Sequence, residues 1–246
     1  MRILIANDDG IYSPGILALA QVASEFGEVL IVAPDVEQSS MGHAITATRP
    51  LMYKRTPIEG FEAYRVNGTP ADCVALGLFH LEHKADVVLS GINLGTNLGN
   101  SAWHSGTLAA AKQAALFGCR GIAFSTPVTR DEPDFTSIKP FVRQSLELLL
   151  PQTDLSLVNI NIPVNAKGLC WARQSLRHYD GKVVPGKDPM GREHFWFTVI
   201  PVEETEEGTD RWAVDHGYVS LTPLRLDLTN NEELQKAQER SPLDKR

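Results

Sequence analysis

The sequence predicts an α/β fold in which a mostly parallel, doubly wound sheet is covered by helices on both faces. Three observations predict this class. Short aliphatic runs alternate with helix-like segments along the first half of the chain. These runs are continuously apolar, as in strands buried on both faces, whereas a half-exposed strand would alternate. The composition, 246 residues of which 43% are hydrophobic and 22% charged, is that of a globular protein with a large core.

Local signals predict each element in chain order. Ser13 with Pro14, and Thr69 with Pro70, pair an N-cap residue with proline at the first helical position, which is typical of helix starts. The predicted elements are strand 2–7, helix 13–26, strand 28–33, a hairpin-like stretch at 44–66, helix 69–81, strand 86–90, helix 105–117, strand 121–125, helix 138–150 and strand 157–162.

The last third of the chain has a different pattern. From about residue 165 it is richer in tryptophan and alternates apolar with polar residues, which predicts a β-rich appendage. Residues 217–224 predict a return to the core. We therefore expect a single domain with a core over residues 1–164. Residues 165–246 are expected to form the β-rich appendage, the strand that returns to the core and an oligomerisation tail. The tail at 230–240 predicts a helix with little apolar face, which is stable only when it docks on another surface, such as a partner subunit.

Composition and charge exclude several functional classes. The net charge is −7 and the 23 Lys and Arg residues are scattered, which argues against a nucleic-acid polymer as partner. No apolar run is long enough for a membrane helix or a signal peptide, so we expect a cytoplasmic protein without a membrane partner. The three cysteines, Cys73, Cys119 and Cys170, are far apart in apolar surroundings, which favours core packing over disulfides or metal binding.

Three polar loops follow predicted strands and are expected to share one edge of the sheet. They are residues 7–10, 35–40 and 91–100. In an open α/β sheet, ligands bind at the carboxyl ends of the strands. The loops offer carboxylates, hydroxyls and amides without histidine or cysteine, which suits a hard cation such as Mg²⁺, Mn²⁺ or Ca²⁺ rather than Zn²⁺.

Asp8 and Asp9 are the most unusual pair in these loops. Neighbouring side chains of a strand point to opposite faces, so both carboxylates reach one point only where the chain bends, and Gly10 permits that bend. Two carboxylates sharing a site repel unless a cation is bound. The alternative is that one aspartate caps a turn and the other faces solvent.

The stretch GINLGTNLGNSAWHSGTLAAA, residues 91–111, is a second candidate feature. It is neither the dinucleotide fingerprint GxGxxG nor a P-loop. Its end, Ser105, Gly106 and Thr107, begins an alanine-rich helix whose free N–H groups are suited to bind phosphate. The alternative is that Ser105 only caps the helix and the glycines shape a loop. His104 is adjacent to Ser105, which disfavours a nucleophile and base pair and favours a lining role, and His43 has no predicted role.

Five segments together resemble one known family. RILIANDDG, VAPDVEQSS, NGTPADCV, VVLSGINLGTNLG followed by HSGTLAAA, and GTD with AVDHGYVSLTPL run in order across the chain. This string is similar to the SurE family of 5'-nucleotidases, also called survival protein E. The resemblance implies a three-layer, Rossmann-like core, a dimer or tetramer with an exchanged C-terminal segment, and metal-dependent hydrolysis of nucleoside 5'-monophosphates, with 3'-nucleotides or short polyphosphate as further candidate substrates.

The resemblance also implies roles for individual residues. One divalent cation, Mg²⁺ or Mn²⁺, would be held by Asp8, Asp9, Ser39 and Asn93. The phosphate contacts would map to Asn97, Ser105, Gly106 and Thr107. The chain departs from the family pattern at Asn100 and Ser101, where an acidic residue is common, and at His104, where tyrosine is common; both positions bear on substrate preference.

The expected reaction is direct attack of water on the phosphate, with Asp8 or Asp9 orienting or deprotonating that water. Two alternatives stay open at this point. An aspartyl-phosphate phosphatase would need an acid two residues before Asp9, where this chain has Asn7. A non-catalytic nucleotide- or metal-binding regulatory module could use the same loops.

Overall fold

The computed structural model describes residues 1–81, 84–128, 135–177 and 179–241. The elements are, in chain order, β1 Arg2–Ala6, α1 Pro14–Ala23, β2 Glu28–Pro34, β3 Tyr53–Arg55, β4 Glu62–Val66, α2 Pro70–Phe79, β5 Val87–Leu94, a 3₁₀ helix Gly99–Trp103, α3 Gly106–Leu116, β6 Arg120–Thr126, α4 Lys139–Leu149, β7 Leu157–Asn161, β8 Leu169–Trp171, β9 Tyr179–Lys187, β10 Glu193–Pro201, α5 Asp210–Asp215, β11 Val219–Pro223 and α6 Asn231–Arg240.

One large sheet organises the described residues. Its strand order is β3-β4-β2-β1-β5-β6-β7-β11-β8. The neighbours from β4 to β7 are all parallel. At one edge β3 pairs antiparallel with β4, and at the other β11 pairs antiparallel with β7 and parallel with β8. The predicted α/β class with a mostly parallel, doubly wound sheet is confirmed, and the hairpin-like stretch contributes β3 and β4 to the same sheet.

Helices cover both faces of this sheet, as strands that are apolar on both sides require. Ile3 and Ile5 of β1 pack in a cluster with residues of α1 and α4. Leu4, between them, points to the opposite face and packs with residues of α2 and α3. None of the helices in the described part of the chain is long and apolar enough to cross a membrane.

The β-rich appendage is a separate two-stranded sheet. β9 and β10 pair antiparallel from Glu193 with Lys187 to Pro201 with Tyr179. Apolar side chains on both faces of this hairpin are exposed, among them Val183, Trp196 and Phe197. The C-terminal helix α6 has no buried residue. Its exchange with a partner and the division of the chain at residue 164 stay predictions.

The cysteines differ in their surroundings. Cys73 is fully buried in the cluster beneath α2, as predicted. Cys119 is partly buried against the same cluster, while Cys170 on β8 is partly exposed, so the prediction of core packing for all three is too general. β8 is an edge strand, which explains the exposure of Cys170.

A capping box fixes the start of α2. The Thr69 hydroxyl accepts from the Asp72 N–H at 3.2 Å, and the Asp72 carboxylate accepts from the N–H groups of Thr69 at 2.9 Å and Thr46 at 3.0 Å. Burial raises the pKa of Asp72, but the hydrogen bonds from Thr46 and Thr69 outweigh burial and lower it overall. Asp72 therefore ties the loop before α2 to the helix.

We expect Asp72→Ala to destabilise the protein by about 1–3 kcal/mol, because buried N–H groups lose their acceptor. The folded-state pKa of Asp72 is lowered, so its contribution is fully present above the unfolded pKa of about 4 and is lost as pH falls through the folded value. Urea unfolding at pH 7 and at pH 3 measures both effects. Glu59→Ala, at an exposed turn position, is the control, and an equal loss in both variants at pH 7 would contradict the prediction.

Candidate functional site

A cavity of about 680 Å³ lies at the carboxyl edge of the sheet. Three strand ends, the residues before α3 and strand β10 contribute its walls. The lining residues are Asp8, Ser39, Ser40, Asn93, Leu94, Gly95, Thr96, Asn97, Ser101, His104, Ser105, Phe197 and Val199. The structure therefore brings together five of the residues predicted for the site, namely Asp8, Ser39, Asn93, Asn97 and Ser105.

The bend after β1 places the two aspartates. Gly10 has φ +94°, a backbone conformation that glycine adopts easily and other residues rarely do. The Asp8 carbonyl accepts from the Gln38 N–H at 2.7 Å, which joins this bend to the loop after β2. The Asn7 side chain donates to the Gly10 carbonyl at 2.9 Å and so closes the turn from inside.

Asp8 lies at the start of α3 and is only 4% exposed. Its Oδ1 accepts from the Thr107 hydroxyl at 2.6 Å. Burial raises the pKa of Asp8, while the Thr107 hydroxyl and the backbone N–H groups of Thr107 and Gly106 oppose that rise. Gly106 is required by this proximity, because a Cβ there would lie 2.7 Å from the Asp8 Cβ. The N-terminus of α3 thus interacts with the Asp8 carboxylate itself.

Asp9 is half-buried beside Asp8, and its Oδ2 accepts from the Leu94 N–H at 3.2 Å. Burial, and next the charge of Asp8, raise the pKa of Asp9 to about 6, with a smaller contribution from Glu37; only the Leu94 N–H lowers it. Two carboxylates are therefore held close together against their mutual repulsion, which is the electrostatic condition that a bound cation relieves.

The neighbouring oxygen donors fit a hard divalent cation. The Ser39 hydroxyl donates to Glu37 Oε1 at 2.6 Å, which leaves its lone pairs free to accept or ligate. The Asn93 amide donates to the Gly95 carbonyl at 2.7 Å, which fixes the amide and leaves Oδ1 as a donor to a cation. No group of three His, Cys, Asp or Glu suited to a metal occurs among the described residues. A cation here would rely on two carboxylates, neutral oxygens and water, as Mg²⁺ and Mn²⁺ sites commonly do.

The predicted phosphate contacts are already engaged with the protein. Ser105 caps α3, with its hydroxyl accepting from the Leu108 N–H at 3.0 Å. Thr107 uses its hydroxyl on Asp8, and the Asn97 amide donates to Ser125 Oγ at 2.8 Å and to Thr107 Oγ1 at 3.3 Å. In this arrangement Asn97 lines the cavity and Thr107 lies behind its wall, and their contact with phosphate stays a prediction.

Comparison with known proteins identifies the family. The family model described as survival protein SurE matches residues 3–181. The chain belongs to the SurE family. It is 49% identical over 237 residues to 5'-nucleotidase SurE 1 of Thermus thermophilus, covering 93% of each chain. It is 44% identical over 240 residues to 5'-nucleotidase SurE of Deinococcus radiodurans, covering 93% of this chain and 88% of that one.

A solved SurE structure has the same fold. The SurE protein from Aquifex aeolicus superposes with a TM-score of 0.84 at 39% identity, covering 97% of this chain and 98% of that chain. The resemblance stated from the sequence motifs is therefore confirmed at the level of family and fold.

His104 and His43, the two histidines that follow polar loops of this SurE-family chain, have different surroundings. His104 lines the cavity, as predicted from its position, and its carbonyl accepts from the Gly42 N–H at 3.0 Å. His43 turns away to α3, where its Nε2 lies 2.7 Å from Gln113 Oε1. His43 therefore contacts the helix that carries Thr107 and joins the loop after β2 to α3.

Three residues in or next to the cavity of this SurE-family chain were not predicted from the sequence: Glu37, Phe197 and Val199. Glu37 accepts the hydrogen bond of the Ser39 hydroxyl and adds negative charge near Asp9. It belongs to the polar loop 35–40, but nothing in the sequence distinguishes it from its neighbours there. Phe197 and Val199 form an apolar wall from β10. Their spacing of two residues predicts that they share one face of a strand. The local sequence does not indicate that this face reaches the cavity, whose other lining residues lie much earlier in the chain, between Asp8 and Ser105.

Proposed function

We propose that this protein is a 5'-nucleotidase that hydrolyses nucleoside 5'-monophosphates to nucleosides and phosphate, using one divalent cation, Mg²⁺ or Mn²⁺. The observation that carries the proposal is that Asp8, Ser39 and Asn93 line one cavity, with the Asp9 carboxylate close enough to Asp8 to interact with its charge. The chain is also 49% identical to a protein named 5'-nucleotidase SurE 1. The fit of these oxygens to a hard cation supports the metal requirement.

The proposed division of roles follows from the contacts. Asp8, Asp9, Ser39 and Asn93 would hold the cation. When bound, a divalent cation supplies Lewis acidity toward the phosphate and activates a water molecule as nucleophile. Asp8 is fixed by Thr107 and is the more buried acid, so it serves as an anchoring ligand. Asp9 is the more exposed of the two acids, which suits it to orient the attacking water and accept its proton.

The shape of the cavity supports a nucleotide as substrate. Its polar side carries Asp8, Asn93 and Ser105, and the positive end of the α3 dipole at Ser105 favours a phosphate. Phe197 and Val199 provide an apolar side on which a nucleoside can pack. A volume of about 680 Å³ is within the range of small-molecule sites. We also propose hydrolysis of 3'-nucleotides and short polyphosphate, because these substrates present a phosphate group to the same polar side of the cavity.

A homodimer or tetramer is proposed for the assembled protein. Two observations support docking of this tail on a second copy of the chain. Leu228, before α6, and Leu234, within it, are exposed, and α6 has no buried residue. The cytoplasmic location stays a prediction from the sequence.

The decisive experiment is a panel of phosphomonoesters assayed against a panel of divalent ions after the protein has been stripped with a chelator. We expect no turnover in the stripped protein and restored hydrolysis of nucleoside 5'-monophosphates with Mn²⁺ or Mg²⁺. Nucleotide binding without turnover under every ion would contradict the proposal and favour a regulatory module. A trapped phosphoaspartate would instead contradict direct attack by water.

A further inference from the structure

Two asparagines in the middle of the sheet face the cavity loop, the segment that follows β5 and contains Asn97. Asn159 and Asn161 belong to β7 and are 1% and 0% exposed. The residues next to them, Val158 and Ile160, point to the opposite face and pack in the cluster that contains α1 and α4. A buried amide destabilises the fold unless its polar atoms are paired. Two of them on one face of a core strand therefore indicate a specific pairing.

That pairing is with the backbone of Asn97. Asn161 Oδ1 accepts from the Asn97 N–H at 2.7 Å, and Asn161 Nδ2 donates to the Asn97 carbonyl at 3.2 Å. Asn159 Nδ2 donates to the same carbonyl at 2.7 Å. One residue of the loop is thus held at both its N–H and its C=O, which fixes its position and the orientation of both of its peptide groups.

Asn97 transmits this restraint toward the proposed cation ligands. Its side-chain amide donates to Ser125 Oγ on β6 at 2.8 Å and to Thr107 Oγ1 at 3.3 Å. The Thr107 hydroxyl oxygen accepts from Asn97 through a lone pair, and the hydroxyl donates its single proton to Asp8 Oδ1 at 2.6 Å. Every residue in this hydrogen-bond network is buried, which strengthens its hydrogen bonds relative to those in water.

We propose that Asn159 and Asn161 are positioning residues for the reaction, a role that rests on the proposed function. They hold the Asn97 backbone so that the Asn97 amide sets the Thr107 hydroxyl, which in turn orients the Asp8 carboxylate. Neither asparagine lines the cavity, so they act through Asn97 and Thr107 rather than by touching the substrate.

The test compares Asn161→Thr with Val158→Ala. Val158→Ala shortens a buried side chain of the same strand on the opposite face, so it destabilises β7 without touching the loop. We expect Asn161→Thr to lower kcat by about 10- to 100-fold with little change in KM, because misplacement of a reacting group by about 1 Å has effects of this size. Val158→Ala should leave kcat near that of the wild type.

Amide hydrogen exchange, measured on the chelator-stripped protein, provides a readout that does not depend on activity. We expect the Asn97 N–H, now paired with Asn161, to exchange faster in Asn161→Thr and to be unchanged in Val158→Ala. Ser125→Ala, which removes only one hydroxyl, is the second variant if Asn161→Thr does not fold; it should lower kcat while leaving exchange at Asn97 N–H slow.

Equal kcat in Asn161→Thr and Val158→Ala, or unchanged exchange at Asn97 in Asn161→Thr, would overturn the positioning role. If Ser125→Ala is the variant used, a kcat equal to that of the wild type would do so. Absence of nucleotide turnover by the wild-type protein would overturn the proposed function instead, while the exchange measurement would still decide whether the asparagines hold the loop.

Discussion

Asp8→Asn is expected to lower the rate of nucleotide hydrolysis by about a thousandfold or more. The variant would no longer hold the cation, and the transition state would lose the several kcal/mol of stabilisation that the cation supplies. Asp9→Asn should have an effect of similar size. The change keeps the shape of the side chain and leaves an oxygen for the Thr107 hydroxyl. Steady-state rates with a nucleoside 5'-monophosphate at saturating Mn²⁺ measure the loss.

The same variants should behave differently in stability. Without a cation, the buried Asp8 carboxylate and the half-buried Asp9 carboxylate repel each other, so Asp8→Asn should unfold at an equal or higher temperature than the wild type in a chelator. With Mn²⁺ added, only the wild type should gain stability, since ligand binding to the folded state raises the melting temperature. Asp154→Asn, at an exposed loop position, is the control. Near-wild-type, metal-stimulated activity in Asp8→Asn, or an equal gain with Mn²⁺, would contradict the site.

Gly106→Ala should lower kcat by about a hundredfold, although it adds only one methyl group. That methyl would lie 2.7 Å from the Asp8 Cβ and 2.9 Å from Oδ2, too close for any real Cβ, so the carboxylate must move. The helix α3 cannot move away instead of the carboxylate, because it packs in the core through Leu108, Ala110 and Ala111. Alanine is favoured over glycine in a helix by about 1 kcal/mol, which offsets part of the clash, so the defect should appear in activity more than in stability.

Gly168→Ala is the matched control for this substitution. A Cβ at Gly168 would meet no atom within 4 Å, and its backbone is not in the left-handed region. Comparison of kcat and of the apparent affinity for Mn²⁺ in the two variants separates the effect of the methyl group from that of losing a glycine. Wild-type values for both in Gly106→Ala would show that the Asp8 carboxylate does not need its place at the start of α3.

The sheet and its polar edge could be predicted because both follow from local patterns. Continuously apolar runs indicate strands buried on both faces, and parallel strands bring their carboxyl ends to one edge. This rule alone placed Asp8 and Asp9 near the loops after β2 and β5. It could not predict that β11 inserts antiparallel between β7 and β8, because an apolar run indicates burial and carries no information about its partner or direction.

The support behind the site could not be predicted in the same way. Asn159 and Asn161 contact Asn97 across 62 and 64 positions in sequence, and no local pattern specifies that pairing. A weaker signal was present, since two asparagines in a strand that must be buried on both faces need buried partners. The contact between Asp8 and the start of α3 was hidden for a similar reason. The local motif resembles a phosphate site, and only the fold shows that the Asp8 carboxylate lies against it.

The insertion of β11 also has a consequence for the order in which the protein is assembled during synthesis. Until residues 219–223 have left the ribosome, β7 ends the growing sheet with unpaired backbone groups beside Val158 and Ile160, and such an edge is a template for aggregation. The same strand anchors the cavity loop through Asn159 and Asn161. A chain that lacked β11 would therefore expose an edge prone to aggregation on the strand that anchors the cavity loop.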